Sequence, residues 1–119
     1  MPFDIRPAQA LRLLSDFTDA LVTDQEPDLS ARQLAVLLTI YLGSPPHTIR
    51  GLAHRLHVTK PVITRALDTM GKMNLVKRRR DETDRRNVIV QRTVEGALFV
   101  ERLGDLLVAK AKALPRWET

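Results

Sequence analysis

The sequence predicts a mainly α-helical chain with one small β-hairpin, and three observations carry that prediction. Apolar residues recur at three- and four-residue steps in most segments between Pro and Gly breaks. Only 4% of the residues are aromatic against 44% hydrophobic overall, so Leu, Val, Ile and Ala must fill the core, a composition suited to packed helices. One stretch, Leu75 to Val90, breaks the helical rhythm with an apolar-basic run, a polar turn and a β-branched run.

The elements follow in order. Pro7 can open a helix at its first turn, and Leu11, Leu14, Phe17, Thr18 and Leu21 mark one side of it to about Val22. Pro27 interrupts, and Ser30-Ala31-Arg32-Gln33 then reads as a capping box, with Leu29 and Leu34 placed to staple the turn. From Leu34 to Leu42 apolar residues fall on nearly every face, the pattern of a central helix buried on several sides. Gly43 to His47 breaks it. Thr48 can cap a short helix carrying Ile49, Leu52, Ala53 and Leu56, and a turn at His57-Val58 follows at once. Thr59 can cap the next helix, with Pro61 in its tolerated first turn and Val62, Ile63, Ala66, Leu67 and Met70 facing inward. Asn74 can take the left-handed conformation that ends it. Leu75–Arg80 and Val88–Val90 predict two short strands around a charged tip, Asp81–Asn87. Thr93 can cap a last helix that spreads apolar side chains around a wide arc before Pro115.

Length and charge bound what such a chain can do. With 119 residues there is room for one domain, 1–119, with a modest core. No apolar stretch approaches the roughly 20 residues of a membrane helix, and the Met1–Arg6 start is too polar and short for a signal peptide, which predicts a cytoplasmic protein and no membrane partner. The absence of cysteine removes disulfides, thiolate chemistry and Cys-ligated zinc. The net charge is +5, but residues 1–29 set two basic side chains against six acidic ones, leaving +9 for the remainder. A basic body of this kind predicts a polyanion partner.

Two short helices joined by a tight turn, the second opening with hydroxyl and basic residues, form the sequence pattern of a helix-turn-helix, and the hairpin behind them would be its wing. On the outward side of the second helix stand Lys60, Pro61, Thr64, Arg65 and Asp68. Arg65 carries the guanidinium fork that matches a guanine edge, whereas Thr59, Lys60 and Thr64 suit phosphate oxygens near a helix N-terminus. Between Lys72 and Arg86 seven basic residues stand against three acidic ones, a density suited to the negative potential of a minor groove.

The run Leu52-Ala53-x-x-Leu56-x-Val58-Thr59-Lys60-x-x-Ile63-Thr64-Arg65-x-Leu67 resembles the recognition unit of the MarR family of transcriptional regulators. The segment Arg78-Arg79-Arg80-Asp81-x-x-Asp84-Arg85-Arg86, with Thr93-x-x-Gly96 after it, is similar to that family's wing and the start of its next helix. The resemblance covers about Leu29 to Gly96. It implies a winged helix-turn-helix dimer on double-stranded DNA, with the helix of Thr59–Lys72 in the major groove and the wing tip at the minor groove. By the same resemblance Asp84 orients the wing, and Arg86 and Arg85, with Arg79 and Arg80 beside them, approach the groove. Residues 7–23 and 94–114 would be dimerisation helices around a DNA-binding core of 30–92 that includes a wing at 75–92. Many members release DNA on binding a small aromatic or phenolic effector. The chain departs from the family at Asn74, where Gly is usual, and at Arg92, where Leu is usual and where an arginine could add to the basic face. Its ends are shorter than in typical members, which implies trimmed dimerisation helices and a reduced ligand pocket.

Other readings are weaker. His54 and His57 lie three residues apart with His47 upstream, but no carboxylate joins them at ligand spacing, so no metal or other cofactor is expected. There is no glycine-rich phosphate loop or serine elbow, and an enzyme is not expected. The rival in another class is a winged-helix module that puts its basic wing on an acidic protein or an RNA without reading DNA sequence.

Overall fold

The computed structural model describes residues 4–24 and 27–115. Among the described residues, five helices and three short strands run in the order α1 (Pro7–Thr23), α2 (Ala31–Leu42), β1 (His47–Thr48), α3 (Ile49–Leu56), α4 (Lys60–Lys72), β2 (Val76–Arg80), β3 (Val88–Arg92) and α5 (Val94–Lys112). The chain divides into two compact units: Met1–Asp28 with Glu101–Thr119, and Leu29–Val100. Among the described residues no helix is long and apolar enough to cross a membrane.

The Leu29–Val100 unit is a winged helix-turn-helix. Its core is built from Val36, Leu37 and Ile40 of α2, Leu52 and Ala53 of α3, and Ile63, Ala66, Leu67 and Met70 of α4, closed by Leu75, Val76, Val90 and Phe99. Local rules place the helices. The Ser30 hydroxyl accepts from the Gln33 amide at 3.1 Å while the Gln33 side chain accepts from the Ser30 amide at 2.8 Å, completing the capping box. Thr48 accepts from the Gly51 amide at 3.0 Å, and Thr93 from the Gly96 amide at 2.9 Å. His57 (φ 56°) turns the chain between α3 and α4, and Asn74 (φ 61°) takes the left-handed position after α4.

Three expectations need correction. The sheet has a third strand: β1 pairs antiparallel with β3, His47 opposite Val90 and Thr48 opposite Ile89, so that β3 is central in the order β1-β3-β2. Two residues inside a Pro- and Gly-rich loop are too few to show strand alternation. The second correction concerns only the end of α2: Leu34 to Tyr41 are all buried or half-buried, but the cover does not reach the last residue. Leu42 in its last turn is 76% exposed. Arg92, finally, is exposed near Lys77 and Arg79 but is not a free surface cation, because it is held against the end of α2. Its Nε and Nη2 donate to the carbonyls of Ile40 and Gly43, each at 2.9 Å, and its guanidinium lies 5.7 Å from the centre of the Tyr41 ring. It satisfies carbonyls that the end of α2 leaves without helical donors.

The other unit contains α1 and the greater part of α5. Residue α1 positions Leu11, Leu14 and Val22 are exposed, as are Leu107 and Val108 of α5, whereas Leu103 is buried. Gln9 accepts from the Arg6 amide at 3.0 Å at the start of α1.

Candidate nucleic-acid interface

The turn between α3 and α4 is closed by backbone bonds, with the Val58 amide on the Ala53 carbonyl at 3.1 Å. Burial of Ile63, Ala66, Leu67 and Met70 fixes how α4 is rotated, because residues three and four apart share a face. The opposite side therefore presents Lys60, Pro61, Arg65 and Asp68 to solvent, with Thr64 half-buried at its edge.

Thr59 holds the cap position of α4 with extended backbone, yet its hydroxyl makes no capping bond. The reason is local. Of the two amides such a hydroxyl usually serves, one belongs to Pro61, which has no N–H, and the other, that of Val62, bonds to the Thr59 carbonyl at 3.1 Å. The expected cap is thus replaced by an exposed hydroxyl at the N-terminus of α4.

Alternation along β2 divides its basic run between two faces. Arg78 turns toward α4 and bonds to Asp68 at 2.8 Å, tying the strand to the helix. Lys77 and Arg79 lie on the other face, where they line an open hollow with Pro45, Pro46 and Gln91. Arg80 Nη1 donates to the Arg85 carbonyl at 3.0 Å, so this side chain braces the tip from within.

The tip itself is a chain of local bonds. Asp81 Oδ1 accepts from both the amide and the hydroxyl of Thr83, at 2.9 and 2.8 Å. These bonds, the hydroxyl's first, hold the Asp81 carboxyl below its ordinary value. The Asp81 amide donates to the Asn87 carbonyl, which closes the loop. Asp84 Oδ1 accepts from the Arg86 amide at 3.1 Å and from Arg86 Nε at 3.3 Å, which sets the direction of that guanidinium.

The predicted residues are therefore not all together. Lys60, Thr64 and Arg86 meet around a hollow of about 190 Å³ between α4 and the end of the wing. Thr59, Pro61 and Arg65 are exposed along α4, and Asp84 and Arg85 sit in the tip. Arg79 faces away from this hollow. The structure adds a residue that the sequence reading missed: Arg50, in the first turn of α3, lines the same hollow. A cation there opposes the helix dipole, and that local misfit is the signal that could have drawn notice to it. Of the three histidines, His47 Nε2 lies 3.3 Å from the Gly43 carbonyl, and no metal-ligating cluster occurs among the described residues.

Comparison with known proteins agrees with this architecture. A MepR variant from S. aureus superposes with a TM-score of 0.73 at 18% identity, over 92% of this chain and 81% of that one. The transcriptional repressor CouR, bound to a 23-mer DNA duplex, gives 0.70 at 26% identity over 88% and 71%. The transcriptional regulator BldR from Sulfolobus solfataricus gives 0.64 at 26% identity over 88% and 81%. No curated protein matches the chain in sequence. The model of the MarR family matches residues 29–88, half of the chain, from the approach to α2 through the wing tip. With that match laid over the helices, turn and wing just described, the chain belongs to the MarR family of winged helix-turn-helix transcriptional regulators.

Proposed function

We propose that this regulator is a homodimeric repressor that binds a pseudo-palindromic operator, with α4 in the major groove and the wing tip at the minor groove. The observation that carries the reading is the division of α4. Its inner face is buried in the core, while Lys60 and Arg65 are exposed and Lys60 shares a hollow with Arg86 of the wing. Arg65 reads a base edge, Thr59, Lys60 and Thr64 meet phosphates, Pro61 packs at the helix entry, and Arg85 and Arg86 approach the minor groove with Asp84 as their support. Arg80 contributes by bracing the tip, and Arg79 meets the backbone from the wing's other face. The 23-mer duplex held by CouR is long enough for two half-sites about 10 bp apart.

The dimer reading rests on exposed apolar side chains of the terminal helices, Leu11, Leu14 and Val22 of α1 and Leu107 and Val108 of α5. Residues 7–23 and 94–114 act as dimerisation helices beside a DNA-binding core of 30–92. Family likeness adds release by a small aromatic effector.

The test is selection of binders from a random duplex pool near physiological salt, where non-specific affinity is weak, about 10⁻⁴–10⁻⁶ M. An inverted repeat with half-sites one helical turn apart is the expected product. Arg65→Ala then costs about 1–3 kcal/mol and flattens base preference at one position, whereas Arg86→Ala weakens binding evenly across sequences. Enrichment of no sequence, with salt-sensitive binding to any polyanion, would overturn the reading in favour of a module for RNA or acidic protein.

A further inference from the structure

The hollow between α3, α4 and the wing gathers cations that the protein does not balance. Arg50, Lys60 and Arg86 line a space of about 190 Å³, with the Thr64 hydroxyl beside them. Among the described residues, neither the Arg50 guanidinium nor the Lys60 ammonium makes an ion pair or hydrogen bond. Arg86 has a partner, Asp84, but bonds it through Nε, an arrangement that aims the guanidinium without neutralising the group of three. Like charges brought around one small space repel, and α4 starts at Lys60 itself, so the positive end of its dipole adds to the same field. An anion in this space would relieve that repulsion. The space is also well below the roughly 300–1,000 Å³ of a small-molecule pocket, and three of the seven residues that line it carry a positive charge.

We propose that this hollow seats a single backbone phosphate of duplex DNA, held jointly by Arg50, Lys60 and Arg86. The inference rests on the DNA-binding reading above and adds two things to it: a part for α3 through Arg50, and the joint action of three cations from three elements on one phosphate. Beyond the Arg78–Asp68 pair, which already ties β2 to α4, the shared anion adds a tie between the end of the wing and α4 that exists only when DNA is bound. Arg50 is a phosphate ligand and carries no sequence preference.

Joint action has a signature that three separate phosphate contacts lack. Affinity for the selected operator is measured against salt concentration for the parent, Arg50→Ala, Lys60→Ala, Arg86→Ala and the Arg50→Ala/Lys60→Ala double variant. All three positions are exposed, so the folds survive. Losing one phosphate lowers the log–log slope by about 0.9 per half-site, so the double variant falls by about 0.9 and not by about 1.8. The same proteins are tested on duplexes carrying one neutral methylphosphonate linkage, stepped through the half-site. One linkage weakens the parent, and at that linkage each single variant shows less than about a twofold further loss, since the contact is already gone. Parental binding with losses that multiply, or with the three variants mapping to different linkages, overturns the shared seat and leaves the DNA reading intact. Absence of sequence-preferring binding by the parent overturns both.

Discussion

The base and the tip of the wing are held by different physics. At the base, the Tyr41 hydroxyl donates to the Leu75 carbonyl at 2.8 Å and accepts from the Thr93 amide at 2.9 Å, while the Thr93 hydroxyl donates to the Asn74 carbonyl at 2.7 Å. Val76 and Val90 are buried beside this network. At the tip every side-chain bond is exposed and spans five residues or fewer: Asp81 to Thr83, Arg86 to Asp84, Arg80 to Arg85. The two Tyr41 bonds are partly buried and join distant residues, so they resist water and salt, whereas exposed local bonds are screened and easily exchanged. The base therefore sets where the wing stands, and the tip keeps the freedom to adjust to what it meets.

The largest effect that can break this comparison is at Gly96. A Cβ there would run into the Tyr41 hydroxyl and the Leu75 carbonyl, a side chain and a backbone atom of the base network. Neither can yield without losing the bonds just described. Gly96→Ala should cost about 3 kcal/mol by overpacking, which corresponds to a fall of roughly 10–20 °C in Tm. A thermal melt by circular dichroism within 2 °C of the parent would show that the base is not the rigid part.

Gly96 also marks the limit of what the sequence discloses. It was legible as one position of a family motif, but its reason, the close approach of Tyr41 from 55 positions earlier, exists only in the fold. Most features set by neighbours in the chain were readable: the Ser30–Gln33 box, the Thr48 and Thr93 caps and the left-handed Asn74 stand as expected, and the Thr59 cap, blocked by Pro61, is the exception. Features set across the fold were not. Arg92 looked like one more surface cation, because nothing near it in sequence shows that the end of α2 lies against it. The basic run of the wing could be counted but not divided: that Arg78 pairs with Asp68 while Arg79 faces the other way depends on register against β3. Strand β1 left no pattern at all.

Arg92 gives the intermediate effect. If it belongs to the base, Arg92→Leu removes two hydrogen bonds to carbonyls that water can partly reach and one contact over an aromatic ring, at about 1 kcal/mol in denaturant unfolding. The salt dependence of DNA binding should stay as in the parent. A slope that drops by about 0.9 would return Arg92 to the DNA-facing surface and undo the separation of base from tip.

The smallest effect tests the tip. Because the Thr83 hydroxyl and amide favour the ionised form of Asp81, its carboxyl titrates below the ordinary 3.8 in the folded protein. A group depressed in this way adds stability that is fully present above its unfolded value and is lost as pH falls through the folded one. The tip should therefore keep its local bonds through the neutral range, and the Thr83 amide resonance should move with a midpoint below 3.8. Because the carboxyl is exposed, the base should not respond: the Leu75 and Thr93 amides ought to hold their positions while Thr83 shifts. A Thr83 midpoint above 3.8 would mean that the Asp81 bonds do not order the tip. Movement of the base amides with the same midpoint would mean that base and tip titrate as one body, and the contrast between them would have to be given up.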